Sequence, residues 1–470
     1  SIGNAIDGLK TSQRKILFST FKRNLIKEIR VAQLAGYVSE HSGYHHGEMS
    51  LNMAIVKLAQ EFTGSNNINL LHPGGQFGTR LEGGNDAASV RYIHTHLNKL
   101  TRYIFKEEDD RILKYRDDDG VLVEPEYYLP IIPMILVNGG KGIGTGFSMD
   151  IQQYNVLDII QNIKDRLNDK KEKTKIKLYY EGFKGSIKEI DKDKKYVIKG
   201  VYKVLSHDTI QVTELPIGMW TVNFKEHLES LMDGGSKDKK SKKDTKPIIK
   251  TYKDDSTDAV IDFTIRFCPG ILSRLLSKNY DSDINMLEKR LKLFTTKKYT
   301  NMYLFNEKER LRKYEDINEI IDKYYPIRYN GYIERKKYLL EALNKKMNIL
   351  SSKARFIGEI MEGTIVLVGK KKKEVVELLE KKKYKIIDDD KDYKYLRSLP
   401  VDSMEEENWK RLKKEEKDCR LAYVKLKKKK IEEIWEEELD ELVVKYKKYQ
   451  IERKDRVLGI SQPNKKLKKK

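Results

Sequence analysis

The amino-acid sequence predicts a multidomain α+β chain. Three observations point there. Glycine-rich motifs and short apolar helical stripes fill residues 1–150, alternating apolar and polar runs mark 151–300, and heptad-like apolar spacings dominate 301–460. A length of 470 residues accommodates several separate cores. Hydrophobic residues make up only 39% and charged residues 35%, so part of the mass belongs to solvated helices rather than to one thick core.

In the first third, Leu51, Ile55, Leu58 and Phe62 are spaced 4, 3 and 4, which predicts one face of a helix opening near Gly47. Upstream, Val31-Ala32-Gln33-Leu34-Ala35-Gly36 reads as the first helix and turn of a helix-turn-helix, and the helix after Gly47 as its recognition element. Six of the eight histidines lie here: His41, His45, His46, His72, His94 and His96. In the middle region, 175–180, 195–198, 209–212 and the alternating segment 258–266 predict strands. Residues 234–246 are rich in Gly, Ser and Lys and predict a disordered surface loop.

From 301 onward, Ile333, Leu340, Leu343, Met347 and Leu350 follow a 7, 3, 4, 3 spacing. Leu412, Cys419 and Leu426 recur at sevens, and Ile431, Trp435, Leu439, Leu442, Tyr446 and Tyr449 continue the stripe. These stretches flank a compact insert at about 355–405. The economical geometry is an outgoing helix, a small globule and a returning helix, paired as an antiparallel coiled coil. Two ordinary amphipathic helices in a bundle are the alternative. Residues 461–470, with their lysine cluster, predict a basic solvated tail.

Lys and Arg total 94 against 72 Asp and Glu, a net charge of +22. The excess favours a polyanionic partner, nucleic acid first, although ribosomal, chromatin and membrane-surface proteins share such a balance. Two distant cysteines, Cys268 and Cys419, offer neither a disulfide framework nor a paired-cysteine metal signature, which suits a reducing compartment. No apolar run is long enough to span a bilayer. The start, Ser1-Ile2-Gly3-Asn4, has no signal-peptide pattern and no initiating Met, and reads as a piece of a longer polypeptide.

The motifs narrow the partner further. Asn4-Ala5-Ile6-Asp7-Gly8-Leu9-Lys10 and Gln13-Arg14-Lys15-Ile16-Leu17-Phe18 come first. Tyr44-His45-His46-Gly47-Glu48, Gly64-Ser65-Asn66-Asn67-Ile68-Asn69-Leu70-Leu71 and Gly75-Gln76-Phe77-Gly78-Thr79-Arg80 follow. Ala87-Ala88-Ser89-Val90-Arg91-Tyr92-Ile93, Pro130-Ile131-Ile132-Pro133 and Gly142-Ile143-Gly144-Thr145-Gly146 complete the series. In this order and spacing they resemble the type IIA DNA topoisomerases, and the adjacent pair His45-His46 matches the eukaryotic type, since bacterial gyrase-like enzymes carry a proline between the histidines. Later segments, 214–216, 301–305, 354–357 and 395–400, extend the resemblance over nearly the whole chain.

The resemblance implies a winged-helix domain at 1–150 that carries the catalytic tyrosine. A β-rich tower or shoulder domain would occupy 151–300, and a coiled-coil arm 301–460 whose globule is a dimerisation gate. It implies a C₂ homodimer acting on double-stranded DNA. The chain would be the breakage core of an ATP-dependent type II enzyme that relaxes, decatenates and unknots DNA through a transient 5′-phosphotyrosyl break, in the nucleus or in a viral replication compartment. In the family Mg²⁺ is bound by a Toprim domain and ATP by an ATPase domain. Neither cofactor is expected within this chain, which shows no P-loop-like or GHKL-like nucleotide motif and no Glu-Gly-Asp-Ser signature. The acidic runs 117–119 and 388–390 read as turn carboxylates, so no metal ligands are assigned.

Each site residue has a chemical reason. A phosphotyrosine at Tyr92 would keep the phosphodiester bond energy, so resealing needs no outside source. A guanidinium at Arg91 can bind two non-bridging oxygens of a phosphoryl-transfer transition state at once. His46 is placed by the resemblance near the scissile phosphate, where it could donate a hydrogen bond or help move the tyrosine proton; His45 is its less determined neighbour. Lys10 and Arg14, four residues apart, resemble a phosphate-anchoring pair, and Gln76 and Arg80 belong to a motif assigned to DNA contact. Ile143, held between glycines, resembles an apolar wedge inserted between base pairs to bend the duplex. Gly3, Thr11, Val90 and His94 depart from the family pattern, which has proline at or near the first three positions and phenylalanine at the fourth. A non-catalytic architectural DNA-binding dimer is the alternative from another class; the Arg91-Tyr92 pair argues against it.

Overall fold

The computed structural model describes residues 1–190, 194–234 and 246–460. The chain forms two compact units, one of Ser1–Arg328 with the segment from Glu436 onward, the other of Tyr329–Trp435. Most of the expected loop at 234–246, and all of the expected tail at 461–470, lie outside the described residues.

In the first unit three helices lead: α1 (Thr11–Lys22), α2 (Val31–Ser42) and α3 (Glu48–Ala59). Lys10 stands extended before α1, and the Gln13 side chain accepts its N–H at 2.9 Å, which satisfies a donor the helix start leaves open. The turn between α2 and α3 falls at Gly43, in the left-handed region with φ 59°. Gly36, expected at that turn, instead sits inside α2. Glycine in a helix interior costs only about 0.5–1 kcal/mol, too little to end one that buries Val31, Leu34, Ala35 and Val38. α3 buries Leu51, Ile55 and Leu58 as their spacing predicts, while Phe62 lies past the helix end, edge-on to Trp220 at 5.7 Å. A small antiparallel sheet completes this region, with strands β1 (Ile29–Arg30), β2 (Leu71–Gly74) and β3 (His94–Leu97) in the order β1-β3-β2.

Two further antiparallel sheets follow in the same unit. Lys195–Lys199 lies between Ser186–Ile190 and Phe294–Lys298. Thr209–Glu214 and Phe263–Phe267 are the central strands of a four-stranded sheet, whose core includes Ile210, Val212, Phe263, Ile265 and the helix residues Phe224 and Leu228. Two expected strands differ. Residues 175–180 form only an isolated bridge, Tyr154 to Leu178, because their backbone groups bond a preceding loop and the Asp158 carboxylate. The predicted strand at 258–266 begins at Phe263, since Thr257 and Val260 close a turn first.

The 45-residue helix Ile317–Met361, which contains Pro326, runs from the first unit into the second. Within the second unit it pairs antiparallel with Glu406–Lys428: Lys336 Nζ meets the Lys429 carbonyl at 2.6 Å, Cys419 Sγ the Leu343 carbonyl at 3.4 Å, and Trp409 Nε1 the Ala354 carbonyl at 3.0 Å. Leu350, Ala354, Ile357, Leu412 and Cys419 form the seam. Ile333, expected on it, is 46% exposed. The insert has its own core of Phe356, Ile365, Val375, Leu379, Tyr384, Tyr393 and Leu396. The expected stripe from Ile431 to Tyr449 lies on the helix Ile431–Val457, but from Leu439 onward it belongs to the first unit and not to the second. There Tyr449 Oη bonds the Asn69 side chain, Arg453 Nη1 donates to the Asn67 carbonyl at 2.9 Å, and Arg456 Nε meets Glu61 at 2.8 Å. A stripe with this periodicity is satisfied equally by a partner helix or by a domain surface. Among the described residues, no helix is long and apolar enough to cross a membrane.

Candidate active site

The tyrosine motif forms a loop leading into β3. Its backbone is clamped from both sides. The first N–H groups of α2, which have no partner within the helix, donate out of it: Val31 to the Ile93 carbonyl at 3.0 Å and Ala32 to the Val90 carbonyl at 3.1 Å. The Tyr92 N–H closes a turn on the Ser89 carbonyl at 2.9 Å, and Ala88 donates to the Gln76 carbonyl at 2.9 Å. Gly75, with φ 107°, packs against Ile93; a Cβ there would stand 3.2 Å from the isoleucine side chain. The peptides flanking Arg91-Tyr92 are therefore fixed while both side chains face solvent, and Tyr92 is 77% exposed. An aromatic ring presented this way contributes little to a core, which is the placement a nucleophile for a large substrate requires.

His45 and His46 occupy the segment between Gly43 and α3. Tyr44 is buried and meets the His46 ring edge-on at 5.5 Å, and His46 itself is exposed. His45 Nε2 lies 3.9 Å from Asp118 Oδ2. α3 and the loop ending at Val90 face each other across a cavity of about 600 Å³, lined by Met49, Met53, Lys57, Ala87, Ser89 and others. The lining includes Glu48 and Val90, which in sequence follow His46 by two residues and precede Arg91 by one.

Ile143 lies on the hairpin of Gly140–Gly144 and Phe147–Ile151, opposite Ser148. It is 84% exposed. A Cβ on Gly142 would stand 2.1 Å from the Ser1 carbonyl oxygen, so that glycine is sterically required, and one on Gly144, 2.3 Å from the Phe147 ring, would push that side chain aside. The Lys10 ammonium donates to the Lys141 carbonyl of this hairpin at 2.6 Å. Burial and the like charge of Lys57 push the Lys10 ammonium below its ordinary value, and burial followed by Lys141 does the same to Lys297, with Asp150 opposing. Lysines gathered in this way form a site suited to a polyanion. Lys57, Lys141 and Lys297 were not singled out from sequence, because they come from α3, the hairpin and a distant strand; only Lys141, inside the glycine motif beside Ile143, carried a local signal.

Two residues expected to contact DNA face inward instead. Arg14 is 4% exposed and pairs with Asp7 through Nε at 2.7 Å and Nη2 at 3.1 Å. Arg80 is buried and bonded to Glu214, with its backbone carbonyl accepting from Thr221. In each case the guanidinium is occupied by a buried carboxylate, so it positions the segment that carries Lys10 or Gln76 rather than reaching a phosphate. Gln76 is exposed. Among the described residues, one group of three His, Cys, Asp or Glu side chains converges, namely Glu28, His72 and His96. With a single carboxylate it does not fit the hard oxygen set that Mg²⁺ takes.

The family of the A-type subunits of DNA gyrase and topoisomerase IV matches residues 1–440. DNA topoisomerase 2 of Bombyx mori is 45% identical over 384 residues, covering 82% of this chain and 24% of that protein. DNA topoisomerase 2 of Acanthamoeba polyphaga mimivirus is 39% identical, covering 95% of this chain and 39% of that protein. The chain therefore spans well under half of these relatives. The crystal structure of a Plasmodium falciparum topoisomerase II DNA-binding, cleavage and re-ligation domain superposes with a TM-score of 0.86 at 39% identity, covering 97% of this chain and 63% of that one. With the match running from the first residue to 440, the chain belongs to the family of DNA gyrase and topoisomerase IV A-type subunits, on its eukaryotic-type topoisomerase II side.

Proposed function

We propose that this chain is the DNA-breaking and rejoining core of a type II topoisomerase, with Tyr92 as the nucleophile. The observation that carries the reading is the solvent-facing Tyr92 on a backbone clamped at both shoulders. The Tyr92 phenol oxygen attacks the scissile phosphorus, a Tyr–O–P bond forms, the P–O3′ bond breaks, and the 3′-oxygen leaves as a hydroxyl after taking up a proton. The number of phosphoester bonds is unchanged, so the step reverses without an energy source. Arg91 stabilises the non-bridging oxygens, and His46 serves the proton. Lys10, with Lys57, Lys141 and Lys297, holds the duplex backbone, Gln76 and His45 line its path, and Ile143 wedges a base step.

In this reading, α1 to α3 and their sheet form a winged-helix domain within 1–150. Residues 151–300 form the shoulder, and the antiparallel helix pair is a coiled-coil arm whose globule closes a C₂ homodimer. Two tyrosines are then available for two strands. Mg²⁺ and ATP belong to the Toprim and ATPase regions of the family, and the compartment is the nucleus or a viral replication site.

The test is adduct mapping. The chain, joined to the family's Toprim region, is incubated with supercoiled plasmid and Mg²⁺, quenched with detergent and digested. The peptide bearing a nucleotide remnant should contain Tyr92, on 5′ ends; a remnant on another tyrosine overturns the assignment. A second measurement addresses the wedge. Ile143→Ala should reduce duplex bending, read by end-to-end energy transfer, more than it reduces affinity, because opening a base step costs about a few kcal/mol that the wedge offsets. Unchanged bending would make Ile143 a bystander.

A further inference from the structure

The small sheet that carries the tyrosine loop holds a second constellation. β3 is its central strand. On one side His72 of β2 pairs directly with His96. On the other side Ile29 pairs with Thr95 and Arg30 with His94, so one step further along places Glu28 opposite His96. Glu28, His96 and His72 therefore form one cross-strand row, and side chains in such a row share a face. One ligand-type atom from each lies within 4.8 Å of the others. The two imidazoles are stacked, with centroids 4.6 Å apart and planes at 22°.

We propose that Glu28, His72 and His96 bind a divalent transition-metal ion, Zn²⁺ in the first instance, which ties the three strands of the tyrosine-loop sheet together.

The donor chemistry supports this. Two imidazoles and one carboxylate are a known three-ligand set for Zn²⁺, with a fourth position left for water. His96 is already oriented: its Nδ1 lies 2.8 Å from the Leu97 carbonyl. A carbonyl can only accept, so Nδ1 carries the proton and Nε2 presents its lone pair, the kind of outer hydrogen bond that fixes a metal-binding histidine. An ion also has a way in, because His72 and His96 line a cavity of about 520 Å³. A tetrahedral ion with bonds of about 2.0–2.1 Å needs ligand atoms roughly 3.3 Å apart, so a row whose atoms lie within 4.8 Å must close by up to about 1.5 Å, through rotation of the exposed Glu28 and of the two imidazoles. The cations Lys99, Lys445, Lys448 and Arg456 also line the cavity and weaken the site; Arg456 is offset by Glu61 at 2.6 Å. The site is separate from the Mg²⁺ chemistry of DNA cleavage, having nitrogen donors and lying on the sheet rather than at Tyr92.

The test uses the tag-free 470-residue chain, stripped with chelator and titrated with Co²⁺, which reports its ligands by visible absorption, and then with competing Zn²⁺. One ion per chain is expected, with a four-coordinate band, no thiolate charge transfer, and a raised melting temperature on Zn²⁺ addition. Glu28→Gln, at an exposed position that cannot unfold the chain, and His96→Gln should each weaken binding by about tenfold or more, since even outer-shell changes cost about 10–100-fold. Circular dichroism confirms the fold of each variant. Absence of a saturable site at millimolar ion, a thiolate band from Cys268 or Cys419, or equal binding by the folded Glu28→Gln variant would overturn the proposal.

Discussion

Tyr92→Phe is expected to abolish the covalent protein–DNA adduct while leaving duplex affinity within about twofold, the usual range for a surface change that removes no buried contact. The side chain is 77% exposed, and the loop is held by the backbone donors of Val31 and Ala32, not by the phenol. Removing the hydroxyl leaves that scaffold intact. Arg91→Ala should keep the nucleophile but slow cleavage by about 10²–10³-fold, the typical loss for one transition-state donor. Arg91→Lys should recover only part of the rate, because an ammonium cannot span two oxygens. Rates of adduct formation after a detergent quench, with affinity measured in parallel, separate these outcomes. Adduct formation by Tyr92→Phe would exclude Tyr92. A parallel collapse of affinity would mean that the ring is a structural contact.

The second large effect concerns stability. Arg14→Ala should destabilise the first unit by about 3–5 kcal/mol, because it strands the buried Asp7 carboxylate. Asp7→Ala should cost at least as much: Asp7 also accepts the N–H groups of Leu9 and Tyr128, each at 3.0 Å, and these too would be left unpaired. Calorimetry should show the first thermal transition moving down in both variants. The salt dependence of DNA binding discriminates further. If Arg14 only positions Lys10, the slope of log affinity against log salt stays unchanged in the folded Arg14 variant, whereas Lys10→Ala lowers it by about 0.9. An equal fall for Arg14→Ala would show that Arg14 contacts a phosphate after all.

What could be read from the sequence depended on the range of the signal. α3 was legible because Leu51, Ile55 and Leu58 repeat within one helix. The motif order around Tyr92 and Ile143 located residues that the structure leaves exposed. Gly36 misled, since one glycine does not decide between a turn and a helix interior. Residues 175–180 have strand composition, but their backbone groups bond a preceding loop and the Asp158 carboxylate instead of a strand. The inward turn of Arg14 and Arg80 depends on Asp7 and Glu214, and the latter is 134 residues from Arg80. The Ile431–Tyr449 stripe gave the right buried face, but periodicity cannot name the partner. His72 and His96 are joined only by strand register, which no local pattern in the sequence specifies.

The helix Ile431–Val457 has a consequence for how the protein is made. Tyr449 bonds Asn69 across 380 residues of chain, and Arg453 reaches Asn67 across 386. Asn67 and Asn69 are both buried, on the segment joining α3 to β2. On a ribosome moving at about 5–20 residues per second, the N-terminal region emerges roughly 20–80 s before the helix that covers this segment has been synthesised. During that interval the Asn67 carbonyl and the Asn69 side-chain oxygen lack these partners and must be met by water or shielded by a chaperone. The tyrosine-bearing region therefore reaches its finished form only once this helix has been made, and a nascent chain halted before it would present a basic, incompletely closed surface to any nucleic acid nearby.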